Sequence, residues 1–243
     1  MKFTKEEARK LVLNCAKRYQ QNLLNKMLLV IYRDRHDNKI RYIEVVFHKR
    51  NYQHLTGLEL IDRKGKVLRN QSVNFYRKCI ENKLSLNEIR FRPDGTTQLK
   101  LAALPALMDV TKITKITGDY NHFRPYLYVD KVMGGVNFCL GLTLENNIYV
   151  PSSALLEDIK KLTQTPSQVL VIMEKAIDES IYNTVKHVAK GLNLQNLTLP
   201  NDINDMIDLE NYLQKLISNV CISTSPEIYL EKKFDKRQKF VLR

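Results

Sequence analysis

Apolar positions along the chain change repeatedly from helical spacing to strand alternation, which predicts an α+β protein. Thr4 and Glu7 form a capping box, and the apolar residues that follow recur at helical spacing, so a first helix is predicted at about residues 5–25. The apolar runs at 26–33 and 40–48 flank a polar turn and predict a β-hairpin.

Short elements of both kinds continue through the rest of the chain. Phe75 and Tyr76 lie on the apolar face of a helix that Ser72 caps, which makes both of them core candidates first. Pro105 kinks or divides a third helix. The other predicted elements are this third helix at 98–108, strands at 126–132, 136–144, 148–150 and 168–173, and a helix that begins at Ser152 or Ser153.

Three segments fit more than one structure. The segment 58–61 is a short strand or the end of a turn, and 113–119 has no clear assignment. The segment 181–189 alternates as a strand does but also has the length of a helix, and we favour a strand that pairs with 168–173.

The chain changes in character after Gly191, where a polar, acidic stretch precedes a predicted helix at about 209–220 and a basic end. We therefore predict a main domain at 1–195 and a helical, basic C-terminal extension at 196–243. The terminal cations extend a nucleic-acid surface or form a solvated tail.

The charge is the strongest global signal. The 39 Lys and Arg residues exceed the 26 Asp and Glu residues, which gives a formal net charge of +13. Such a surplus favours a polyanionic partner, with nucleic acid as first choice and an anionic membrane as second. Charge does not separate binding from catalysis.

Cysteine and histidine usage indicates no metal site, disulfide framework or cofactor. The four cysteines are scattered without a C-x-x-C pair, as expected of reduced core residues, and the five histidines are equally dispersed. The N-terminus lacks a signal-peptide pattern, and no apolar run approaches the ~20 residues of a membrane helix. We expect a protein of the cytoplasm, with no membrane partner.

One stretch, FHKRNYQHLTG at 47–57, combines groups that suit phosphodiester chemistry. Lys49 and Arg50 supply fixed positive charge, and His54 supplies a titratable imidazole close to Thr56 and Gly57. In the alternative interpretation His54 caps a turn and the two cations are a solvated strand end.

The order of several motifs resembles the phage-associated nuclease-like proteins of the barnase–EndoU–colicin–RelE superfamily, in its fourth phage subgroup. The resemblance covers about residues 40–195. The matching motifs are HLTG at 54–57, the Phe75–Tyr76 pair, CLGL at 139–142, PSSAL at 151–155, QVLVIMEK at 168–175 and VKHVAKGL at 185–192.

The resemblance implies N-terminal helices packed on a curved antiparallel sheet, and a metal-independent ribonuclease, often a toxin. RNA supplies the nucleophile through its 2′-hydroxyl, so the protein needs a base, an acid and cations. His54 is the expected base or acid, although no second proton-transfer partner is evident. The candidate catalytic residues are His54, Thr56, Tyr76, Ser153 and Lys175, and the candidate nucleic-acid-binding residues are Lys49, Arg50, Arg124 and Lys190.

Two other classes of function stay open. A non-catalytic protein would bind nucleic acid, or a host protein, through the same cations, as a phage regulator or inhibitor. A protein-binding antitoxin or inhibitor partner would depend on the acidic patch at 202–208 and the C-terminal helix. Other enzyme classes lack their motifs: there is no Gly-rich phosphate loop, no G-x-S-x-G element and no metal-nuclease pattern of carboxylates.

Overall fold

A computed structural model describes residues 2–122, 127–210, 212 and 214. Residues Met1–Ile207 form one compact unit, and Asp208–Arg243 form a second. The predicted C-terminal helix and basic end fall largely outside the described residues, so the boundary near residue 195 stays a prediction. No helix in the described part of the chain is both long enough and apolar enough to cross a bilayer.

Helices and strands alternate along the first unit, as the hydrophobic pattern predicts. The helices are α1 (Lys5–Asn22), α2 (Lys49–Thr56), α3 (Ser72–Ile80), α4 (Thr96–Leu107), α5 (Val110–Ile113) and α6 (Asn201–Asn204). The strands are β1 (Lys26–Arg33), β2 (Ile40–Val46), β3 (Leu58–Leu60), β4 (Ile89–Phe91), β5 (Ile116–Asp119), β6 (Lys131–Gly134), β7 (Cys139–Glu145), β8 (Ile148–Leu155), β9 (Ser167–Ala176) and β10 (Thr184–Val188).

Most predicted elements are confirmed. The capping box begins α1, since the Thr4 hydroxyl accepts from the Glu7 N–H at 3.2 Å and the Thr4 N–H donates to the Glu7 carboxylate at 2.8 Å. The β1–β2 hairpin forms, and the segment 58–61 contains a strand. The segment 181–189 is also a strand, which pairs with β9.

The helix predicted at Ser152 or Ser153 is wrong. Strand β8 continues to Leu155 and pairs with β7 on both sides of a register shift at Ser152, with Pro151 opposite Leu142 and Ser153 opposite Gly141. Ser153 and Ala154 are buried, so sheet pairing and packing override the local resemblance to a helix cap. The strand predicted at 126–132 also differs, because the ladder begins only at Lys131.

The larger sheet contains eight strands, and its pairings close into a circuit. In the order β1-β2-β8-β7-β6-β5-β9, each strand pairs with the next, and β9 pairs back with β1. All pairings are antiparallel except that of β2 with β8, which meet through the single pair Val45 and Tyr149. This topology confirms the α+β class and an antiparallel sheet, with one parallel junction.

An aromatic cluster joins the first three helices to the sheet. The ring centroid of Tyr52 lies 5.0 Å from that of Tyr19 and 5.5 Å from that of Tyr76, and all three side chains are buried. The Tyr52 hydroxyl donates to the Val12 carbonyl at 2.6 Å, which satisfies its polar end. Helix α2 is therefore fixed between α1 and α3.

Candidate functional site

The HLTG element belongs to a helix. Helix α2 starts directly after β2 and ends at Gly57, which has the left-handed φ of 68° and donates its N–H to the Gln53 carbonyl at 3.1 Å. A left-handed glycine at this position is a common helix terminator. The interpretation of His54 as a turn cap is therefore wrong, because His54 lies in the last turn of α2.

Helix α2 separates its residues into a buried and an exposed side. Tyr52, Leu55 and Thr56 are completely buried, whereas Lys49, Arg50 and His54 are exposed. The tight packing of the buried side holds the exposed side chains on a rigid element, which suits a site that must position groups accurately.

His54 opens into a cleft of about 340 Å³ between α2 and the start of α3. The cleft walls come from the end of α2, from β3 and from the connection that leads into α3. Its lining residues are Gln53, His54, Leu58, Glu59, Val67, Leu68, Arg69, Asn70, Gln71, Ser72 and Arg92.

Two cations from distant segments accompany His54. The Lys100 ammonium donates to the His54 backbone carbonyl at 2.8 Å and lies beside the cleft without lining it, whereas Arg92 lines the cleft itself. The backbone N–H of Arg92 donates to the Thr97 hydroxyl at 2.9 Å, and that hydroxyl donates to the Gly57 carbonyl at 2.7 Å. These bonds attach the start of α4 to the end of α2.

Gly57 also permits close packing of the two helices. A Cβ atom there would lie 3.0 Å from the Thr97 Cα and 3.1 Å from the Lys100 Cδ. The absence of a side chain at Gly57 therefore allows Lys100 to approach the end of α2.

The electrostatics keep His54 neutral at neutral pH. Burial lowers the pKa of the imidazole from its usual 6.5, and the positive charges of Lys100 and Arg92 lower it further. Burial likewise lowers the pKa of Lys100 to about 8, with a further contribution from Arg92 that Asp94 opposes. A neutral imidazole and an ammonium of reduced pKa thus lie at one end of α2, a combination suited to proton transfer.

Arg92 has unused hydrogen-bonding capacity. Its Nε is buried and has no hydrogen-bond partner among the described residues. By contrast, the Glu59 carboxylate in the same cleft accepts from the Arg90 guanidinium at 2.8 Å and 3.0 Å. An anion in the cleft would meet Arg92 and Arg69 without displacing that ion pair.

Two predicted residues lie near this cleft but point into the core. The Thr56 hydroxyl donates to the Gln53 carbonyl at 2.8 Å and accepts from the Leu58 N–H at 3.1 Å, so it stabilises the end of α2. The Tyr76 hydroxyl is buried without a hydrogen-bond partner in the described residues, and burial raises the pKa of Tyr76 to about 12.

Three other predicted residues lie on the sheet or next to it. Ser153 is buried on β8, and exposed Lys190 follows β10. Lys175 on β9 donates to the Ser180 carbonyl at 3.1 Å and lies 4.5 Å from the ring centroid of Tyr182. None of the three lines the His54 cleft. Arg124 lies outside the described residues.

Lys49 and Arg50 line a neighbouring cleft of about 330 Å³, together with Asn25, His48 and Val73. Arg50 forms an ion pair with Glu145 through one guanidinium nitrogen. Burial lowers the pKa of His48, and Arg50 lowers it further while Glu145 opposes the change. Lys49 and Arg50 thus give the second cleft positive charge on its wall as well.

Sequence reasoning missed Arg69, Arg92 and Lys100. Arg69 and Arg92 were not among the candidate residues, and Lys100 was predicted only as part of the helix at 98–108. The apolar spacing of Tyr52 and Leu55 ahead of Gly57 would have predicted α2. No local signal connects Lys100 with His54, because tertiary packing brings them together.

No group of three or more His, Cys, Asp or Glu side chains that could hold a metal ion occurs within the described residues. Comparisons with curated proteins and with solved structures find no significant match. A family model does match, over residues 11–191, with the description phage-Barnase-EndoU-ColicinE5/D-RelE like nuclease4. Since the match covers well over half of the chain, the protein belongs to this family of phage nuclease-like proteins.

Proposed function

We propose that the protein is a ribonuclease that cleaves RNA through attack by the 2′-hydroxyl, with His54 as the base. The observation that carries the proposal is the neutral, exposed imidazole of His54 in a cleft with Arg92 and beside Lys100. Membership of a nuclease-like family and the net charge of +13 support the same conclusion.

In the first half of the reaction, His54 takes the proton of the 2′-hydroxyl. The 2′-oxygen forms a bond to phosphorus, and negative charge develops on the phosphate oxygens. Arg92, with its unpartnered Nε, and Arg69 stabilise that charge electrostatically.

In the second half, the bond from phosphorus to the 5′-oxygen breaks. Lys100 donates a proton to this leaving oxygen, which yields a 5′-hydroxyl and a 2′,3′-cyclic phosphate. A lysine ammonium has three N–H donors, and only one is used by the His54 carbonyl, so a proton remains available for transfer. Water then restores both residues to their starting protonation states.

This assignment predicts a bell-shaped pH dependence of the cleavage rate. The rate rises as His54 loses its proton, at a pH below 6.5 because its pKa is lowered. The rate falls again as Lys100 loses its proton, at a pH of about 8.

The test is cleavage of total RNA and of tRNA in EDTA, with wild type beside His54→Ala. A matched control is His36→Ala, because His36 is exposed in the β1–β2 turn and lines neither cleft. We expect products with 2′,3′-cyclic phosphate ends from the wild type and the control, and none from His54→Ala.

Cleavage that persists unchanged in His54→Ala would refute the role of His54. Salt-dependent RNA binding by all three proteins without any cleavage would instead identify a nucleic-acid-binding protein on a nuclease-like fold. Absence of both binding and cleavage would favour a protein partner.

A further inference from the structure

The two clefts on α2 share one side of the helix. Lys49 and Gln53 are four residues apart in α2, and so are Arg50 and His54. Side chains four residues apart on a helix are neighbours, with Cβ atoms about 5–6 Å from each other. The wall of the second cleft therefore continues directly into the wall of the His54 cleft.

Helix α3 forms the opposite wall of both clefts. Ser72 lines the His54 cleft, and the next residue, Val73, lines the second cleft. The Val73 side chain is 54% exposed, although it is apolar and lies in the first turn of a helix. The two clefts thus meet at a ridge with an exposed apolar side chain.

Cations outnumber carboxylates along this side of α2, and Glu59, the one acidic side chain among the described residues that lines either cleft, is paired with Arg90. Arg69 and Arg92 line the first cleft, and Lys49 and Arg50 line the second. Glu145 pairs with Arg50 but uses only one of its guanidinium nitrogens, so further N–H groups stay available to an anion.

We infer that these two clefts form one continuous track for single-stranded RNA, with the scissile phosphate at His54 and a neighbouring phosphate at Lys49 and Arg50. This inference rests on the proposed function and adds to it the substrate class and the path of the strand along α2. The separation of one helical turn, about 5.4 Å, is between one and two times the advance of about 3.4 Å per phosphate along one strand of a DNA duplex, so adjacent phosphates can reach the two clefts.

A single strand fits this arrangement better than a duplex does. Each cleft, at about 340 Å³ and about 330 Å³, lies at the lower end of the range for small-molecule sites and suits one nucleotide. The exposed Val73 offers an apolar contact for a base or sugar that has left a duplex. Paired bases could not enter two separate concave sites.

The test measures binding of 2′-O-methyl oligouridylates of two to eight nucleotides, which cannot be cleaved by 2′-attack. For the wild type we expect the affinity to rise until both clefts are filled, and then to level off. For Lys49→Ala we expect an octamer affinity lower by about twofold to fivefold, and a slope of log affinity against log salt that is smaller by about 0.7. The dinucleotide affinity should not change.

The matched control for charge is Lys160→Ala, since Lys160 is an exposed lysine that lines neither cleft. A second variant, Val73→Asp, places a negative charge on the ridge, where an acidic residue in the first turn of α3 is compatible with the helix. Its control is Leu156→Asp, because Leu156 is also 54% exposed but lies outside both clefts. Of the two aspartate variants, only Val73→Asp should weaken octamer binding.

Equal effects of the Lys49 and Lys160 variants, or duplex RNA that binds as tightly as a single strand, would overturn the track. If binding depends on oligonucleotide length and on Lys49 as expected but the wild type does not cleave RNA, the proposed function is refuted and the track is not. Cleavage that requires His54, with binding independent of length and of Lys49, would refute the track alone.

Discussion

Two regions of the protein place a lysine against a histidine, and they differ in what the lysine contacts. At the end of α2, the Lys100 ammonium donates to the backbone carbonyl of His54 at 2.8 Å. His187 lies on β10, and the Lys115 ammonium lies 3.1 Å from its imidazole Nδ1. In both regions burial and the lysine charge lower the pKa of the histidine.

The two imidazoles therefore differ in their surroundings. His187 is half-buried, its Nδ1 faces the Lys115 ammonium, and its Nε2 is buried without a hydrogen-bond partner in the described residues. His54 is exposed and lines a cleft that contains two arginines. A lowered pKa alone therefore does not mark a functional histidine; the accessibility of the ring decides the difference.

The largest expected effect is the difference in cleavage rate between a variant without the His54 imidazole and a variant without the His187 imidazole. We expect His54→Ala to reduce the cleavage rate by about 10²–10⁴-fold, the usual contribution of a general base, while His187→Ala leaves the rate unchanged. Initial rates on a defined oligoribonucleotide at pH 7 measure both. Equal losses of cleavage rate in the two variants would contradict the placement of the site at His54.

A smaller effect should follow from crowding the junction of α2 and α4. Gly57→Ala places a Cβ 3.0 Å from the Thr97 Cα and imposes a left-handed φ of 68° on alanine. Gly65→Ala is the matched control, because Gly65 has a φ of 78° but no atoms within 4 Å of its Cβ position. Both should lose about 1–2 kcal/mol for the left-handed backbone, and Gly57→Ala more.

Urea unfolding and cleavage assays on the two glycine variants separate strain from crowding. Only Gly57→Ala should also lower the cleavage rate, since it displaces Lys100 from the end of α2. Loss of activity in Gly65→Ala to the same extent would contradict a specific role for this contact.

Removing each lysine should raise the pKa of its own histidine. Lys100 lowers the pKa of His54, and Lys115 lowers the pKa of His187. Lys100→Met should therefore raise only the pKa of His54, and Lys115→Met should raise only the pKa of His187. Imidazole titration by NMR measures these shifts. Lys100→Met also removes the proposed acid, so the cleavage that remains should be slower, with its acidic limb at higher pH and without the fall at about pH 8.

The smallest expected effect concerns stability against pH. The folded-state pKa of His187 is below the unfolded value of 6.5, so the unfolded chain binds a proton first as the pH falls. The stabilising contribution is complete above pH 6.5 and is lost progressively below it. His187→Gln should therefore reduce the decrease in Tm between pH 7 and pH 5, whereas His36→Gln should leave that decrease unchanged.

The sequence determined the elements that depend on local pattern. The capping box of Thr4 and Glu7, the β1–β2 hairpin and strand β9 all follow from residue types at fixed spacing, and the motif order pointed to the family. The cap-like Ser152–Ser153 pattern misled, because a long-range partner, β7, extends β8 through it. Local hydrogen-bonding preference loses to a ladder that also buries the side chains.

Only the tertiary structure decided which groups surround His54. The sequence proposed His54, Lys49 and Arg50, which are close together on one helix, and did not indicate Lys100. Lys100 lies 46 residues beyond His54 and reaches the end of α2 because Gly57 lets α4 approach α2 and because the Thr97 hydroxyl bonds to the Gly57 carbonyl. Side-chain periodicity encodes which face of an element is buried, whereas helix packing sets which exposed faces meet.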